Sequence, residues 1–264
     1  MKIVSSKSLL ASDTRFLNDT KELTHLKMTI TDRLKVRLLD ADNDSKPALS
    51  WLLSQLETDE QDPVYVISLS ANVDDLSQWR GYTPPNQGVC IGFHTEALRE
   101  SLAIMKADRH ERARFLMLGR MIYLGENEVP SFDDFITSAC SYMDVINGEV
   151  VRTVAEERLI ASAMPFYKHI AFKNEREWRI RVSANSVFIE DPLPVVCRLG
   201  RSSLVPATRF SFKGTSMENS FIEEIIVGPT PEKELSAYSI RKFVESENMH
   251  EVIVRPSKVP YRTW

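Results

Sequence analysis

Two segments of the chain carry pairs of polar side chains spaced two residues apart. Glu175 and Glu177 form one pair, and Ser68 and Ser70 form the other. Charged residues alternate with bulky ones from Glu175 to Val182, which predicts a β-strand. Side chains two residues apart on a strand point to the same face, so each pair shares a face. Two carboxylates placed in this way could stabilise a developing positive charge or orient a nucleophile.

A simpler interpretation of both pairs remains open. An alternating Glu-Arg-Glu-Trp-Arg strand is also typical of a solvated sheet face with cross-strand ion pairs. Ser68 and Ser70 could be ordinary serines at the end of a strand. The functional interpretation requires one of these serines to line the same cleft as Glu177, and it fails if they lie on opposite faces of the sheet.

The serine pair ends a strand that belongs to a compact predicted unit. Residues 64–70 are β-branched and apolar, which predicts a buried strand. A short capped helix at 74–80, a loop at 81–88 and a second buried strand at 89–93 follow. Loops that precede buried strands often carry binding residues, so we expect this unit to contribute to the site.

The remaining pattern predicts one α+β domain over residues 1–264, with helical insertions between the strands. Apolar residues recur every three or four positions in residues 21–39, as on one face of an amphipathic helix. Residues 96–120 and 131–165 are also helical in pattern, and residues 222–227 have the pattern of a strand. The sequence shows no internal repeat, linker or low-complexity stretch.

Composition argues against several classes of function. The 264 residues carry a net charge of −4, whereas proteins that bind nucleic acid phosphates usually have a basic excess. Cys90, Cys140 and Cys197 lie far apart and the histidines are isolated, so we expect a reducing compartment and no metal. P-loop and Rossmann glycine patterns are absent from the sequence. We find no signal peptide and no apolar run of membrane-spanning length, which predicts a cytoplasmic protein without membrane contact.

Several blocks of sequence resemble one bacterial family. The blocks keep their order over nearly the whole chain, and they are Leu10–Asp19, Ser68–Ser70, Leu76–Tyr82, Gly88–Phe93, Ala171–Arg179, Ile226–Pro229 and Pro260–Arg262. On these blocks the chain resembles the DUF2971 family, which includes AbiGi-like phage-resistance proteins. That family more distantly resembles ADP-ribosyltransferases. The second resemblance implies a split sheet of mixed or antiparallel strands, and NAD as the substrate.

The ADP-ribosyltransferase resemblance also implies a role for each polar pair. Such proteins bind NAD with an Arg or His on an early strand, then a serine-rich strand end, then a Glu-x-Glu pair. Glu177 would stabilise the positive charge that develops on the ribose, and Glu175 would orient the acceptor nucleophile. Ser68 and Ser70 would position the ribose or support Glu177.

Further NAD contacts are implied by the same resemblance. Trp79 or Tyr82 would stack on the nicotinamide, and Arg80 would neutralise the pyrophosphate. DUF2971 proteins typically have a Tyr-His-Tyr-Thr-like strand before the block that begins here at Leu10, and Arg15 is the nearest substitute for its histidine. A place in the core for Trp79, and an ion pair with a neighbouring aspartate for Arg80, remain open as alternatives.

The two resemblances together imply NAD-dependent ADP-ribosyl transfer, or NAD hydrolysis, in bacterial anti-phage defence or in a toxin system. The acceptor would be a protein or a nucleic acid, and a partner protein of the defence system is implied. The alternative is a non-catalytic sensor module of a phage-defence system. It would bind a nucleotide or a protein through the Trp79–Tyr82 loop, and the absence of the His-containing strand favours it.

Overall fold

The protein combines helices with several β-sheets, which confirms the predicted α+β class. The structure is a computed structural model. It describes residues 2–17, 21–57, 63–84, 87–107, 114–125, 136–137, 144–146, 149–151, 164–184, 194–200 and 203–260. Among the helices of these residues, none has both the length and the apolar character needed to cross a membrane.

The elements follow the chain as helices, strands and short 3₁₀ turns. The helices are α1 (Lys2–Ser6), α2 (Lys21–Leu39), α3 (Lys46–Glu57), α4 (Leu76–Tyr82), α5 (Thr95–Ala107) and α6 (Lys233–Ser246). The strands are β1 (Ser8–Asp13), β2 (Val64–Ser70), β3 (Val89–Phe93), β4 (Arg114–Arg120), β5 (Ile122–Leu124), β6 (Asp144–Ile146), β7 (Glu149–Val151), β8 (Tyr167–His169), β9 (Glu177–Ala184), β10 (Val196–Leu199), β11 (Leu204–Ser211), β12 (Ile222–Val227) and β13 (Ile253–Pro256). The 3₁₀ turns are Thr14–Phe16, Met164–Phe166 and Ile170–Glu175.

The larger sheet has six antiparallel strands in the order β10-β11-β1-β2-β9-β4. Ile67, Leu116 and Ile180 point to one side of it and pack into the main hydrophobic core. Because side chains alternate along a strand, Ser68 and its partner Arg179 point to the other side. We call the two sides the core face and the polar face.

A smaller sheet has three strands in the order β13-β12-β3 and is mixed. β12 pairs antiparallel with β3 and parallel with β13. A parallel pair requires a crossover connection, and α6 provides it. Ile225 and Val254 of this sheet join Ala237 of α6 in the main core. The predicted combination of antiparallel and mixed strands is confirmed, whereas the likeness to the ADP-ribosyltransferase fold stays a prediction.

Helices α2 and α3 form a second core beside the larger sheet. Leu34 and Leu52 are almost completely buried in it, and Tyr167 of β8 packs against it. The next residue of β8, Lys168, lies over the polar face and contacts Glu177 there. The second core therefore holds β8 in position on the polar face.

Two predicted helical insertions differ from the structure. The helix predicted over 96–120 ends at Ala107, and Arg114–Arg120 instead forms β4, at one edge of the larger sheet. Its alternation is that of a strand, because Leu116 is buried and Met117 is exposed. Within the predicted helix at 131–165, β6 and β7 form an antiparallel pair. Most of that segment lies outside the described residues.

Candidate functional site

The pairing of β2 with β9 brings the serine pair to the carboxylate pair. Ser70 lies opposite Glu177, and Ser68 lies opposite Arg179. Residues opposite each other on antiparallel strands project to the same side of the sheet. Ser68, Ser70 and Glu177 therefore share the polar face, so they do not lie on opposite faces of the sheet, the arrangement that would exclude the functional interpretation.

Glu175 reaches the site by a different route from the one predicted. The prediction that one strand begins at Glu175 is wrong, because Glu175 ends a 3₁₀ turn and β9 begins at Glu177. Arg176, between them, has a left-handed backbone with φ 45°. Such a conformation is uncommon for a residue with a side chain, and it breaks the alternation that the sequence pattern implied.

The two carboxylates nevertheless converge, because a buried lysine binds both of them. Lys168 Nζ lies 2.8 Å from Glu175 Oε2 and 3.0 Å from Glu177 Oε2. The same ammonium stands 4.6 Å from the centre of the Phe172 ring, within the range of a cation–π contact. We call Glu175, Glu177 and the two cations that bind them, Lys168 and Arg179, the carboxylate cluster. Lys168 lies at its centre.

Glu177 is a buried, ionised carboxylate with partners on both oxygens. Arg179 Nε donates to Oε1 at 2.7 Å, and only 5% of the Glu177 side chain is exposed. Burial by itself would raise the pKa of Glu177, but Arg179, a hydrogen bond from Ser68 and Lys168 together lower it below the usual value. Its backbone N–H donates to the Tyr123 hydroxyl at 2.7 Å. Glu177 therefore carries its charge at neutral pH.

Glu175 lies at the rim of the cluster and is more open to solvent. Its side chain is 19% exposed, and Oε1 accepts a hydrogen bond from the Tyr82 hydroxyl at 2.9 Å. Ser70 Oγ donates to the backbone carbonyl of Glu175 at 2.7 Å. Burial, and then the hydrogen bond to Glu175, raise the pKa of Tyr82 to about 12. Tyr82 is exposed, so it is the outermost member of the site.

Trp79 is buried and anchors α4 rather than facing a ligand. Its indole Nε1 donates to Asp74 at 2.9 Å, and a side chain on Gly228 would come within 3.0 Å of its ring. Asp74 also accepts hydrogen bonds from the Ser257 hydroxyl and from the backbone N–H of Lys258. We call this group of contacts the Asp74 clasp. It fixes the helix that ends in Tyr82.

Arg15 lies far from the carboxylates. Its guanidinium binds the buried carboxylate of Asp13 through Nε and Nη2. Asp13 lies opposite Tyr65, at the end of β2 remote from Ser70. Five residues of strand separate Tyr65 from Ser70, which is roughly 17 Å. The structure does not bring Arg15 to the site.

A cleft opens on the sheet where β1 and β2 separate. Within the described residues, the two strands pair over two residues each and part beyond Ser12 and Val66. The cleft touches every residue of β2 from Val66 to Ser70. A cavity on the face of a strand would touch alternate residues, so this one follows the edge of β2. Ser68, Ser70 and Tyr82 line this β1–β2 cleft, but Arg80, exposed on α4, does not. Glu175 and Glu177 do not line it either, so the serines lie between the cleft and the carboxylates.

Sequence reasoning missed Lys168, Arg179 and Tyr123. The alternation of β9 places Arg179 on the same face as Glu177, so the sequence pattern could have identified Arg179. Lys168 and Tyr123 carried no such signal, because only the tertiary fold brings β5 and β8 to the carboxylates. In the part of the chain that the structure describes, no group of three or more His, Cys, Asp or Glu side chains is placed to hold a metal ion.

Comparison with known proteins supports one assignment. A family model described as "Protein of unknown function (DUF2971)" matches residues 78–180, less than half of the 264-residue chain. No curated protein and no solved structure matches. The matched segment includes Tyr82, Lys168, Glu175 and Glu177, whereas Ser68 and Ser70 precede it. The resemblance to DUF2971 is therefore confirmed for residues 78–180, and with them for the carboxylate cluster.

Proposed function

We propose that the carboxylate cluster acts on NAD, by ADP-ribosyl transfer or by NAD hydrolysis. One observation carries this proposal: two serine hydroxyls and two carboxylates meet on the polar face, beside a cleft. The biological setting that we propose, bacterial anti-phage defence or a toxin system, rests on the family resemblance alone.

The chemistry requires a negative charge close to the ribose. When the nicotinamide–ribose bond breaks, its electron pair leaves with the nicotinamide and positive charge develops on the ribose ring. An ionised carboxylate fixed beside the ring stabilises that charge. Glu177 meets the requirement of charge, because its pKa is lowered. The acceptor hydroxyl, amine or water then forms the new bond to the ribose carbon and releases a proton.

Glu175 is the better placed of the two carboxylates to meet the acceptor. It lies at the rim, where Tyr82 and Lys168 hold both of its oxygens. A carboxylate at this position can accept a hydrogen bond from the incoming nucleophile and take up its proton. Ser70 fixes the backbone of Glu175, so that the orientation of this carboxylate depends on β2.

Substrate binding requires one contact of the cluster to open. Glu177 already accepts from Arg179 at 2.7 Å and from Lys168 at 3.0 Å. A ribose hydroxyl can reach Glu177 only if it replaces one of these partners. Lys168 is the partner that would give way, because it retains Glu175 as a second carboxylate.

Both oxygens of Glu177 already have partners, and this observation favours a second function, the non-catalytic module. If Arg179 and Lys168 never release Glu177, the cluster serves as a buried ion-pair network that fixes β9 to β8. The exposed Tyr82 at the rim would then contact a nucleotide or a partner protein. This function predicts binding without turnover.

Measurement of NAD turnover separates the two functions. We would compare the wild type, Glu175→Gln and Glu177→Gln, with and without a cell lysate as a source of acceptor. The matched control is Glu234→Gln, which removes an exposed carboxylate on α6. The enzyme function predicts loss of NAD, or transfer of labelled ADP-ribose, in the wild type and control but not in folded Glu175→Gln. Turnover that persists in that variant contradicts the role of Glu175, and binding of NAD without turnover in the wild type supports the non-catalytic module.

A further inference from the structure

The β1–β2 cleft has a second wall, formed by β10 and β11. Arg198 of β10 and Arg209 of β11 line the cleft. Arg198 Nε donates to Ser12 Oγ at 3.0 Å, which means that it reaches across β11 to β1. Arg209 Nη1 donates to Ser8 Oγ at 3.4 Å. The two guanidinium groups therefore lie against serine hydroxyls on the polar face.

Arg198 and Arg209 are both exposed. Neither Arg198 nor Arg209 makes an ion pair within the described chain. The carboxylate cluster does not compensate them, because its two negative charges are matched by Lys168 and Arg179. The planar guanidinium group donates paired hydrogen bonds to the oxygens of phosphates and carboxylates, so this wall suits an anion.

The carboxylates on the opposite wall do not cancel this charge. Glu224 and Glu223 also line the cleft. Glu224 is paired with Arg255 at 2.9 Å, so its charge is already neutralised. Glu223 is exposed on β12, in the other sheet. A net positive charge therefore remains on the wall formed by β10 and β11, which carries Arg198 and Arg209.

The position of this wall relative to Glu177 limits the ligand. Ser8 lies on β1, and the neighbouring strand β2 separates it from Glu177 on β9. Two strand spacings are about 10 Å, and the separation of β1 from β2 adds to that distance. A single phosphate cannot contact both places. A ligand in which a sugar is joined to a pyrophosphate can.

We infer that Arg198 and Arg209, with Ser12 and Ser8, form an anion subsite that binds the pyrophosphate of a nucleotide whose ribose lies toward Glu177. This inference rests on the proposed function and adds residues to it. It assigns the phosphate contact to Arg198 and Arg209 in place of Arg80, which does not line the β1–β2 cleft. The subsite does not require that any bond be broken.

Calorimetric titration with inorganic pyrophosphate, ADP and NAD tests the subsite. The variants are Arg198→Gln and Arg209→Gln, and Arg241→Gln on α6 is the control because it removes an exposed arginine away from the cleft. Loss of one charge-assisted contact in either test variant should weaken binding of ADP by about tenfold. The control should bind as the wild type does, and binding should weaken as salt is added. Thermal unfolding verifies that the exposed substitutions leave the fold intact.

The outcomes separate this inference from the proposed function. ADP binding that weakens in the test variants supports the subsite, even if NAD is never turned over. No binding of any of the three ligands, or equal binding by test variants and control, overturns it. Equal affinity for pyrophosphate and ADP overturns the assignment to a nucleotide. If wild type, Arg198→Gln and Arg209→Gln turn over NAD with equal KM values, the subsite is refuted while the proposed function stands.

Discussion

Removal of the charge on Glu177 should cost far more stability than removal of the charge on Glu175. Glu177 is buried and is the common partner of Arg179 and Lys168. Glu177→Gln removes a negative charge that lies beside both Lys168 and Arg179. Breaking a buried ion pair typically costs about 3–5 kcal/mol. Glu175 lies at the rim, and its partner Lys168 keeps Glu177 as a second carboxylate, so Glu175→Gln should cost about 1 kcal/mol or less, the loss of one hydrogen-bonded contact.

These costs convert into melting temperatures that are easy to distinguish. In a chain of this size 1 kcal/mol shifts the melting temperature by about 2–4 °C. We therefore expect Glu177→Gln to melt roughly 6–20 °C below the wild type at pH 7, and Glu175→Gln to melt within about 4 °C of it. Circular dichroism in one buffer measures both shifts, with Glu234→Gln as the exposed control. A Glu177→Gln variant that melts within about 2 °C of the wild type would refute our account of the cluster.

The pH dependence of this difference gives an independent check. The folded-state pKa of Glu177 is lowered from 4.5, so its charge contributes stability above the unfolded-state pKa. That contribution is lost as the pH falls through the lower, folded-state value. The gap in stability between wild type and Glu177→Gln should therefore be largest near neutral pH and should close in acid. A gap that stays constant from pH 7 into the acid range would mean that packing, and not charge, is the cause.

Three further predictions concern single side chains. Arg176→Gly should leave stability unchanged or raise it by up to about 1 kcal/mol in denaturant unfolding, because glycine adopts the left-handed backbone at this position without strain; clear destabilisation would contradict this. Ser101 is buried on α5 and its hydroxyl has no hydrogen-bond partner among the described residues, so Ser101→Ala should be neutral or stabilising by up to about 1 kcal/mol. The pKa of Tyr82, raised to about 12, should fall only part of the way toward 10 in Glu175→Gln, because burial, the larger cause, remains. The ultraviolet difference between each protein and its Tyr82→Phe derivative during alkaline titration would show that shift, and an unchanged titration would mean that Glu175 does not contribute to the raised pKa.

The part of the site that depends on strand geometry could be predicted from the sequence. The bounds of β2, the capped start of α4 at Asp75 and the shared face of Ser68 and Ser70 follow from local pattern. The position of Glu175 did not follow, because a single left-handed residue, Arg176, replaces strand by turn without changing the alternation of residue types.

The remaining parts of the site depend on contacts between distant segments. Lys168 reaches the carboxylates only because α2 and α3 support β8 from behind. Arg198 and Ser12 meet although 186 residues separate them. The sequence left two places open for Trp79, the core or a ligand contact. Its side chain is buried and its ring lies against Gly228, so it belongs to the core. Strand pairing, and not residue type, decides which of these side chains enter the site.

The Asp74 clasp joins two segments of the chain that are synthesised at very different times. Its partner Ser257 follows Asp74 by 183 residues. At ordinary translation rates of about 5–20 residues per second, roughly 10 to 40 s pass between synthesis of the two. During that interval the nascent chain already holds α4 and Tyr82, but it lacks the residues that fix them. The site can therefore be finished only after Ser257 has been synthesised, and a chain interrupted before Ser257 lacks the contacts that fix Tyr82 beside Glu175.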